Sequence, residues 1–214
     1  MSGDSISGNI SLFQSEVGGS IPTSPHQFRV LKIGKLDAYR YFREKHYSKS
    51  CSPNSFPCYG LFFEGKMYGA LAFHIPTSEN LRSSILGEEN KRGVFELHRL
   101  FLEDSAPKNS ESWFIGKCLR FLKKEIPAIK AVVTFADKTE GHTGIIYKAT
   151  NFKSLGQGSS AIFYRDEQGR LRYPRQAVYV NGKRIRKNLT RDEAHERGWT
   201  TEKREGKYRY VFYY

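Results

Sequence analysis

Asp137 and Tyr147 are the residues on which chemistry converges most readily. In the run FADKTEGHTGIIYKATNF, Asp137 follows a near-continuous apolar stretch, Gly141 and Gly144 permit a tight connection, and Tyr147 falls in the first turns of the next helix. Open α/β sheets collect their ligands outside the carboxyl ends of strands, so a carboxylate and a phenol placed there point at a cleft. Tyr147 can donate a proton to a leaving thiolate or hold a substrate heteroatom; Asp137 can act as a base or orient an amine. The competing readings are an Asp that caps the next element and a Tyr that packs its ring, and spacing alone divides these evenly. His142, between the two glycines, suits turn chemistry as well as a contact to a ligand.

Three further positions have the type and place for a site. His46 and Tyr47 end a helical stretch beside a Ser-rich loop, where side chains reach a cleft, although a His there also complements the helix dipole. Arg99 interrupts the apolar run VFELHRLFL and needs an anionic partner, either a carboxylate such as Glu96 or a ligand. His98 alternates to the other face and reads as structural. Phe56, Tyr59 and Trp113 are candidates for a stacking platform. His46, Tyr47 and Asp137 together make an oxygen/nitrogen set of the kind iron accepts, with no HxH, HxxxH or HxD run to support it.

The elements that must position these residues follow from periodicity. FRVLKIG alternates as a strand, and LDAYRYFREKHYSKS puts Leu36, Tyr39, Phe42 and His46 on one helical stripe. CYGLFFEGKMYGALAFHIP has the form of a hairpin turning at Glu64-Gly65-Lys66. A polar insertion precedes the strand VFELHRLFL. FIGKCLRFLKKEI is helical, with Asn109 or Ser110 as N-cap and Pro127 closing it, and KAVVTFAD is a buried strand. GIIYKATN is a short helix, followed by one or two strands, a strand AVYVNGKRI, a helix with a Thr190–Glu193 capping box and a last strand KYRYVFYY. Strands that precede a βαβ unit predict an α/β (α+β) mixed sheet with helices on both faces.

The chain of 214 residues carries a net charge of +13, unevenly spread. Residues 170–209 hold thirteen Lys/Arg against five Asp/Glu, with Tyr173, Tyr179, Trp199 and Tyr208 interleaved. Cations and flat rings together suit phosphates and bases, and Arg175, Lys183, Arg184, Arg186 and Lys187 are the candidate DNA-binding residues. Cys51, Cys58 and Cys118 form no CxxC pair and read as reduced, packed thiols. Nothing approaches a membrane span, the polar N-terminus lacks a signal-peptide pattern, and both point to the cytoplasm. Residues 1–26 read as a loose tail, 27–168 as the main domain and 169–214 as a basic extension packed on the same domain.

GIIYKATNF resembles the closing helix of the Gcn5-related N-acetyltransferase superfamily, and the order of elements is similar to that fold. The pyrophosphate loop of that superfamily is absent: NSESWFIGKC stands in its place, with Ser110, Ser112 and Gly116 as the groups that would receive an anion at a helix N-terminus. An acyl-CoA-type donor therefore does not follow from the resemblance. From about Phe28 onward, KHYS, ELHRL, ESW, FADKTEGHTGIIYKATNF and the basic tail together resemble the Mom family of Mu-like phages, a divergent branch of that superfamily. The resemblance implies transfer of a carbamoylmethyl group to the N6 of adenine in double-stranded DNA, which protects phage DNA from restriction. It also implies roles for His46, Tyr47, Arg99, Ser112, Asp137 and Tyr147, an iron requirement, and a place in the host cytoplasm; the oligomeric state stays open, a homodimer included. The alternatives are an ordinary N-acyltransferase acting on a protein, RNA or small amine, and a nucleic-acid-binding module without catalysis.

Overall fold

The computed structural model describes residues 22–214, except for the side chains of residues 177–180, 184 and 186. Most of the expected N-terminal tail lies outside the described residues. The chain divides into two compact units.

The first unit runs to Thr134 and takes in Ile145–Lys153 and Tyr210–Tyr214. Its elements in chain order are β1 (Arg29–Ile33), α1 (Lys35–Lys45), β2 (Cys58–Phe63), β3 (Lys66–His74), α2 (Glu79–Leu86), β4 (Val94–Leu102), α3 (Ser110–Glu125), most of β5 (Ala131–Ala136) and α4 (Ile145–Lys148). Its sheet has the order β1-β2-β3-β4-β5-β12, where β12 is Tyr208–Tyr213; β6 is Lys153–Gln157, all but its first residue in the second unit. The strands β1 to β4 are antiparallel neighbours, and β4 meets β5 in parallel. This is the mixed α/β sheet that the element order predicts.

Local chemistry explains the joins. Glu64 and Gly65 both take positive φ, 46° and 78°, the pair a tight two-residue hairpin requires to match strand twist. In β3 every residue after Lys66 is buried, and in β5 all but Phe135 are, so both strands read as apolar runs rather than as alternation. The parallel register of β4 and β5 lasts only from Val94–Ala131 to Glu96–Val133, after which Thr134 Oγ1 donates to the Leu97 carbonyl at 3.1 Å. Beyond that bond β4 runs on to Leu102, and among the described residues that part of its edge has no ladder partner on the β5 side.

Two sequence expectations are corrected in this unit. The buried face of α1 is Ala38, Tyr41 and Phe42, whereas Leu36 and Tyr39 of the expected stripe are exposed. The polar insertion contains α2, capped by Ser78 Oγ accepting from Leu81 N–H. This helix buries no residue completely, so the apolar periodicity that reveals a helix is weak.

The second unit comprises Phe135–Gly144 and Ser154–Arg209. It holds a three-stranded sheet of β7 (Ala161–Arg165) between β8 (Leu171–Arg172) and β11 (Thr200–Arg204), the hairpin β9 (Arg175–Val180) and β10 (Lys183–Asn188), and α5 (Arg191–His195). Its small core is Tyr164, Leu189 and Ala194, with Ile162 and Trp199 against them. The Thr190–Glu193 capping box forms as expected. The single strand expected over AVYVNGKRI is instead a hairpin: Asn181 and Gly182 both adopt positive φ, and the chain reverses there. All three cysteines are buried thiols. Among the described residues no helix is long and apolar enough to cross a membrane.

Candidate functional site

Asp137 is the first polar residue after the apolar β5 and belongs to the second unit. It is 7% exposed. Its Oδ1 accepts the Thr139 N–H at 3.1 Å and caps a 3-10 turn over Lys138–Glu140, and Gly141 leaves that turn at φ 78°. Its Oδ2 lies 3.1 Å from Lys207 Nζ and 3.7 Å from Arg204 Nη2. Arg204, itself buried, donates to Glu140 at 2.6 Å and stands 3.6 Å from Glu202. Burial pushes the Asp137 carboxyl up, yet Lys207, Arg204 and the Thr139 N–H together hold it below the usual carboxylate value. An ionised carboxylate so well supported is a weak base and a good fixed anion. Of the two roles left open by the sequence, orienting an amine suits it better than taking its proton.

Tyr147 belongs to the first unit, on the four-residue α4. Its ring packs at 5.6 Å between centroids against both Phe152 and Tyr210. The side chain is buried, which raises its pKa, and the hydroxyl is hydrogen-bonded to Thr134. At neutral pH the phenol is therefore a proton carrier, never a phenolate.

His46, Tyr47 and Arg99 are brought together by the loop after α1. His46 is the C-cap of that helix and is buried, and its Nδ1 accepts the Ser48 N–H at 3.1 Å. A backbone donor at Nδ1 makes that nitrogen the acceptor and leaves the proton of the neutral ring on Nε2. The Tyr47 ring lies against it at 4.3 Å and is 52% exposed. Arg99 reaches the same loop, where Nε donates to the Ser50 carbonyl at 2.9 Å, and Nη1 donates to the His98 carbonyl at 2.8 Å. Glu96 is not its partner. Among the described residues Arg99 pairs with no carboxylate, so its charge is held by neutral carbonyls and still attracts an anion.

The N-terminus of α3 is less open than its sequence suggests. Asn109 is the N-cap, in the left-handed region and without a side-chain cap bond. Ser110 is sealed in the interior with its hydroxyl unpartnered among the described residues, and Ser112 Oγ donates to the Asn109 carbonyl at 3.1 Å. A Cβ on Gly116 would meet nothing within 4 Å, so the position forms no close cradle for a phosphate. Tyr59 is likewise removed from the stacking platform: it is a core residue whose hydroxyl donates to Glu125 at 3.2 Å. Phe56, half-exposed with Lys32 4.7 Å over its ring, and Trp113, with Lys117 at 5.2 Å, are still partly accessible.

Where Glu96 does point is the main feature that sequence reasoning misses. Its carboxylate lies between His74, with Nε2 3.1 Å from Oε2, and His98, with Nδ1 3.5 Å from Oε1. Among the described residues this is the one group of three His, Cys, Asp or Glu side chains close enough to share an ion. The Glu-x-His pair of one strand face is visible in VFELHRLFL; its third member is not.

On the β9–β10 hairpin, Arg175, Lys183 and Lys187 are exposed. Lys187 also pairs with Glu193, which reduces its free charge. The side chains of Arg184 and Arg186 lie outside the described residues; their backbone stands opposite Tyr179 and Ala177.

The model of the Mom protein family matches residues 27–214. The chain is 30% identical over 173 residues to the methylcarbamoylase mom of Escherichia phage Mu, covering 79% of this chain and 72% of that protein. Among solved structures it is similar to a spermidine N-acetyltransferase from Vibrio cholerae, with a TM-score of 0.49, 8% identity and coverage of 88% and 94% of the two chains. It is also similar to the ribosomal-protein-S18-alanine N-acetyltransferase of Escherichia coli, with a TM-score of 0.46, 10% identity and coverage of 87% and 93%.

Proposed function

The chain belongs to the Mom protein family, and from that premise we propose that it is a transferase that places a carbamoylmethyl group on the N6 of adenine in double-stranded DNA. The observation that carries the reading is the match of nearly the whole described chain to that family, together with its identity to a methylcarbamoylase. The chemistry of the side chains supports it. The N6 lone pair is delocalised into the ring, so the amine must be held in line with the electrophile and must lose a proton as the new N–C bond forms. A fixed, ionised Asp137 can orient the amino hydrogens, and the neutral Tyr147 phenol can donate to the developing negative charge on the donor or its leaving group. Arg99, without a carboxylate partner, suits an anionic or carbonyl part of the donor. A duplex adenine reaches such groups only after flipping from the stack, at a cost of a few kcal/mol repaid by stacking and edge contacts.

Iron enters as part of the same reading. Asp137 already faces two cations, Lys207 and Arg204, and a third there is disfavoured. The donor set of two imidazoles and a carboxylate at His74, Glu96 and His98, with one buried imidazole nitrogen unpartnered, fits such an ion better. Bound there, iron would supply Lewis acidity. A DNA substrate also places the protein with that DNA, in the cytoplasm of the host for a phage.

The test is a nuclease digest and nucleoside mass spectrum of DNA from cells expressing the chain. A nucleoside heavier than deoxyadenosine by one carbamoylmethyl group is expected. Unchanged DNA alongside acylation of a protein, RNA or small amine would replace the reading with ordinary N-acyl transfer.

The hairpin is expected to supply cations to the DNA backbone. Reversing Arg175, Lys183 and Lys187 to Glu should weaken duplex binding alike on all sequences and flatten its salt dependence, by roughly 0.9 in the log–log slope for each phosphate no longer neutralised. Lys187, paired with Glu193, should contribute the smallest share. Equal affinity with an altered sequence preference, read by fluorescence anisotropy at several salt concentrations, would assign the hairpin to base readout instead.

A further inference from the structure

We propose that His74, Glu96 and His98 form a binding site for a divalent first-row transition-metal ion, held across β3 and β4 with at least one coordination position left for water or a small oxygen ligand.

The backbone builds this group. His74 is the last residue of β3 and stands directly opposite Glu96 in the antiparallel register, so both side chains leave the same face. The register then shifts: Ala72 pairs with Arg99 but Phe73 pairs with Leu97, which makes His98 the extra residue of a β-bulge. Bulges re-aim side chains and are enriched beside functional sites. Here the bulge lies next to the point where β4 stops pairing with β5. Arg99 secures it through the bond from Nη1 to the His98 carbonyl.

The distances suit ligands that share one ion. Nitrogen and oxygen ligands sit about 2.0–2.2 Å from zinc-like ions, so two that share one at right or tetrahedral angles lie roughly 3.0–3.5 Å apart. The observed separations from Glu96 are 3.1 Å to His74 and 3.5 Å to His98, and all three donor atoms fall within 4.8 Å of one another. His74 is 7% exposed, and its Nε2, although 3.1 Å from the carboxylate, makes no hydrogen bond to any described residue. A sealed polar nitrogen that points at a carboxylate without bonding it carries a desolvation cost that a coordinated ion would remove.

Two His and one carboxylate is a donor set shared by zinc and non-haem iron(II) sites, both of which keep open positions. His98 and Glu96 are only partly buried, which gives such a position a route to solvent.

The experiment uses the full chain stripped with a chelator and titrated with Co²⁺ and with Zn²⁺, followed by visible absorption, calorimetry and nitrogen NMR of the histidine rings. One equivalent is expected, with perturbed ring nitrogens of His74 and His98 and unchanged rings elsewhere. Glu96→Gln, nearly isosteric, should weaken binding by about 10-fold or more, whereas His195→Ala should bind as the parent does. The ring NMR is read on the parent chain, so a variant that misfolds leaves the result decidable. Absence of saturable binding to the parent, or binding that leaves the His74 and His98 rings unmoved, would overturn the proposal. The site deepens the iron reading given above, and none of these readouts depends on DNA modification: failure here withdraws iron from this place and leaves the adenine modification standing, whereas unchanged DNA leaves the metal site standing.

Discussion

Tyr147→Phe is expected to fold and melt like the parent chain and to lose about 100-fold or more of its DNA-modifying turnover, the range of a missing proton donor. The ring is what packing needs: it fills the space against Phe152 and Tyr210, and phenylalanine keeps both neighbours. The hydroxyl is what chemistry needs, and burial keeps its proton in place at neutral pH. Its hydrogen bond to Thr134 sharpens the test. Thr134 also ties this position to the sheet, because its hydroxyl donates to the Leu97 carbonyl. If that bond merely anchors α4, then Thr134→Val should mimic Tyr147→Phe in both stability and turnover. If the phenol serves the reaction, Thr134→Val should leave the donor free and keep most of the turnover. Turnover is read by mass spectrometry of nucleosides at fixed enzyme and DNA, and stability by thermal melting. Full turnover in Tyr147→Phe would reduce Tyr147 to a packing residue.

What is legible in the chain follows from how local each signal is. The Glu64–Gly65 turn, the Thr190–Glu193 capping box and the apolar run that ends at Asp137 are decided within a few residues, and each forms as the sequence indicates. The Asn181–Gly182 turn is equally local and equally strong, yet AVYVNGKRI reads as one strand where a hairpin forms. By contrast, α1 buries the face set by its neighbours: Ala38 and Phe42 pack with Cys51, Cys58 and Met67 from the loop and strands beyond it. The periodic stripe through Leu36 and Tyr39 does not reveal that. The partners of the site residues are less local still. Glu96 and His98 stand two residues apart in one strand, but His98 is turned by a bulge, and His74 meets them only because β3 and β4 pair in one register around it. Arg99, which in sequence calls for an anion, bonds the Ser50 and His98 carbonyls instead, and Glu96 is left to the histidines. The anchors of Asp137 come from β11 and the residues after it, a segment that reads only as basic and suited to DNA. Part of the charge credited to a DNA surface is thus spent inside the fold.

Arg204→Met tests that point and should destabilise the second unit by about 3 kcal/mol, the lower end of the range for a buried ion pair broken on one side. Arg204 is 7% exposed and faces Asp137, Glu140 and Glu202. Methionine fills much of the same volume, so the variant removes charge and leaves packing. Lys207 remains beside Asp137, and Glu140 and Glu202 are partly exposed, both of which keep the effect below the full penalty for a stranded charge. The sign of the pH dependence separates charge from packing. Arg204 helps hold the Asp137 pKa below its ordinary value, so its contribution is complete above the normal carboxylate range and fades as the pH falls through about 4 and below. The melting difference between parent and variant should therefore be largest at neutral pH and should shrink on acidification. A difference that stays constant as the pH falls from 7 to well below 4 would mean that the guanidinium acts by shape. With Asp137 no longer held from that side, DNA modification should fall further than the residual folded fraction accounts for. Arg204→Lys, which keeps the charge but not the fork that reaches Glu140 and Asp137 together, should recover much of the stability and little of the modification.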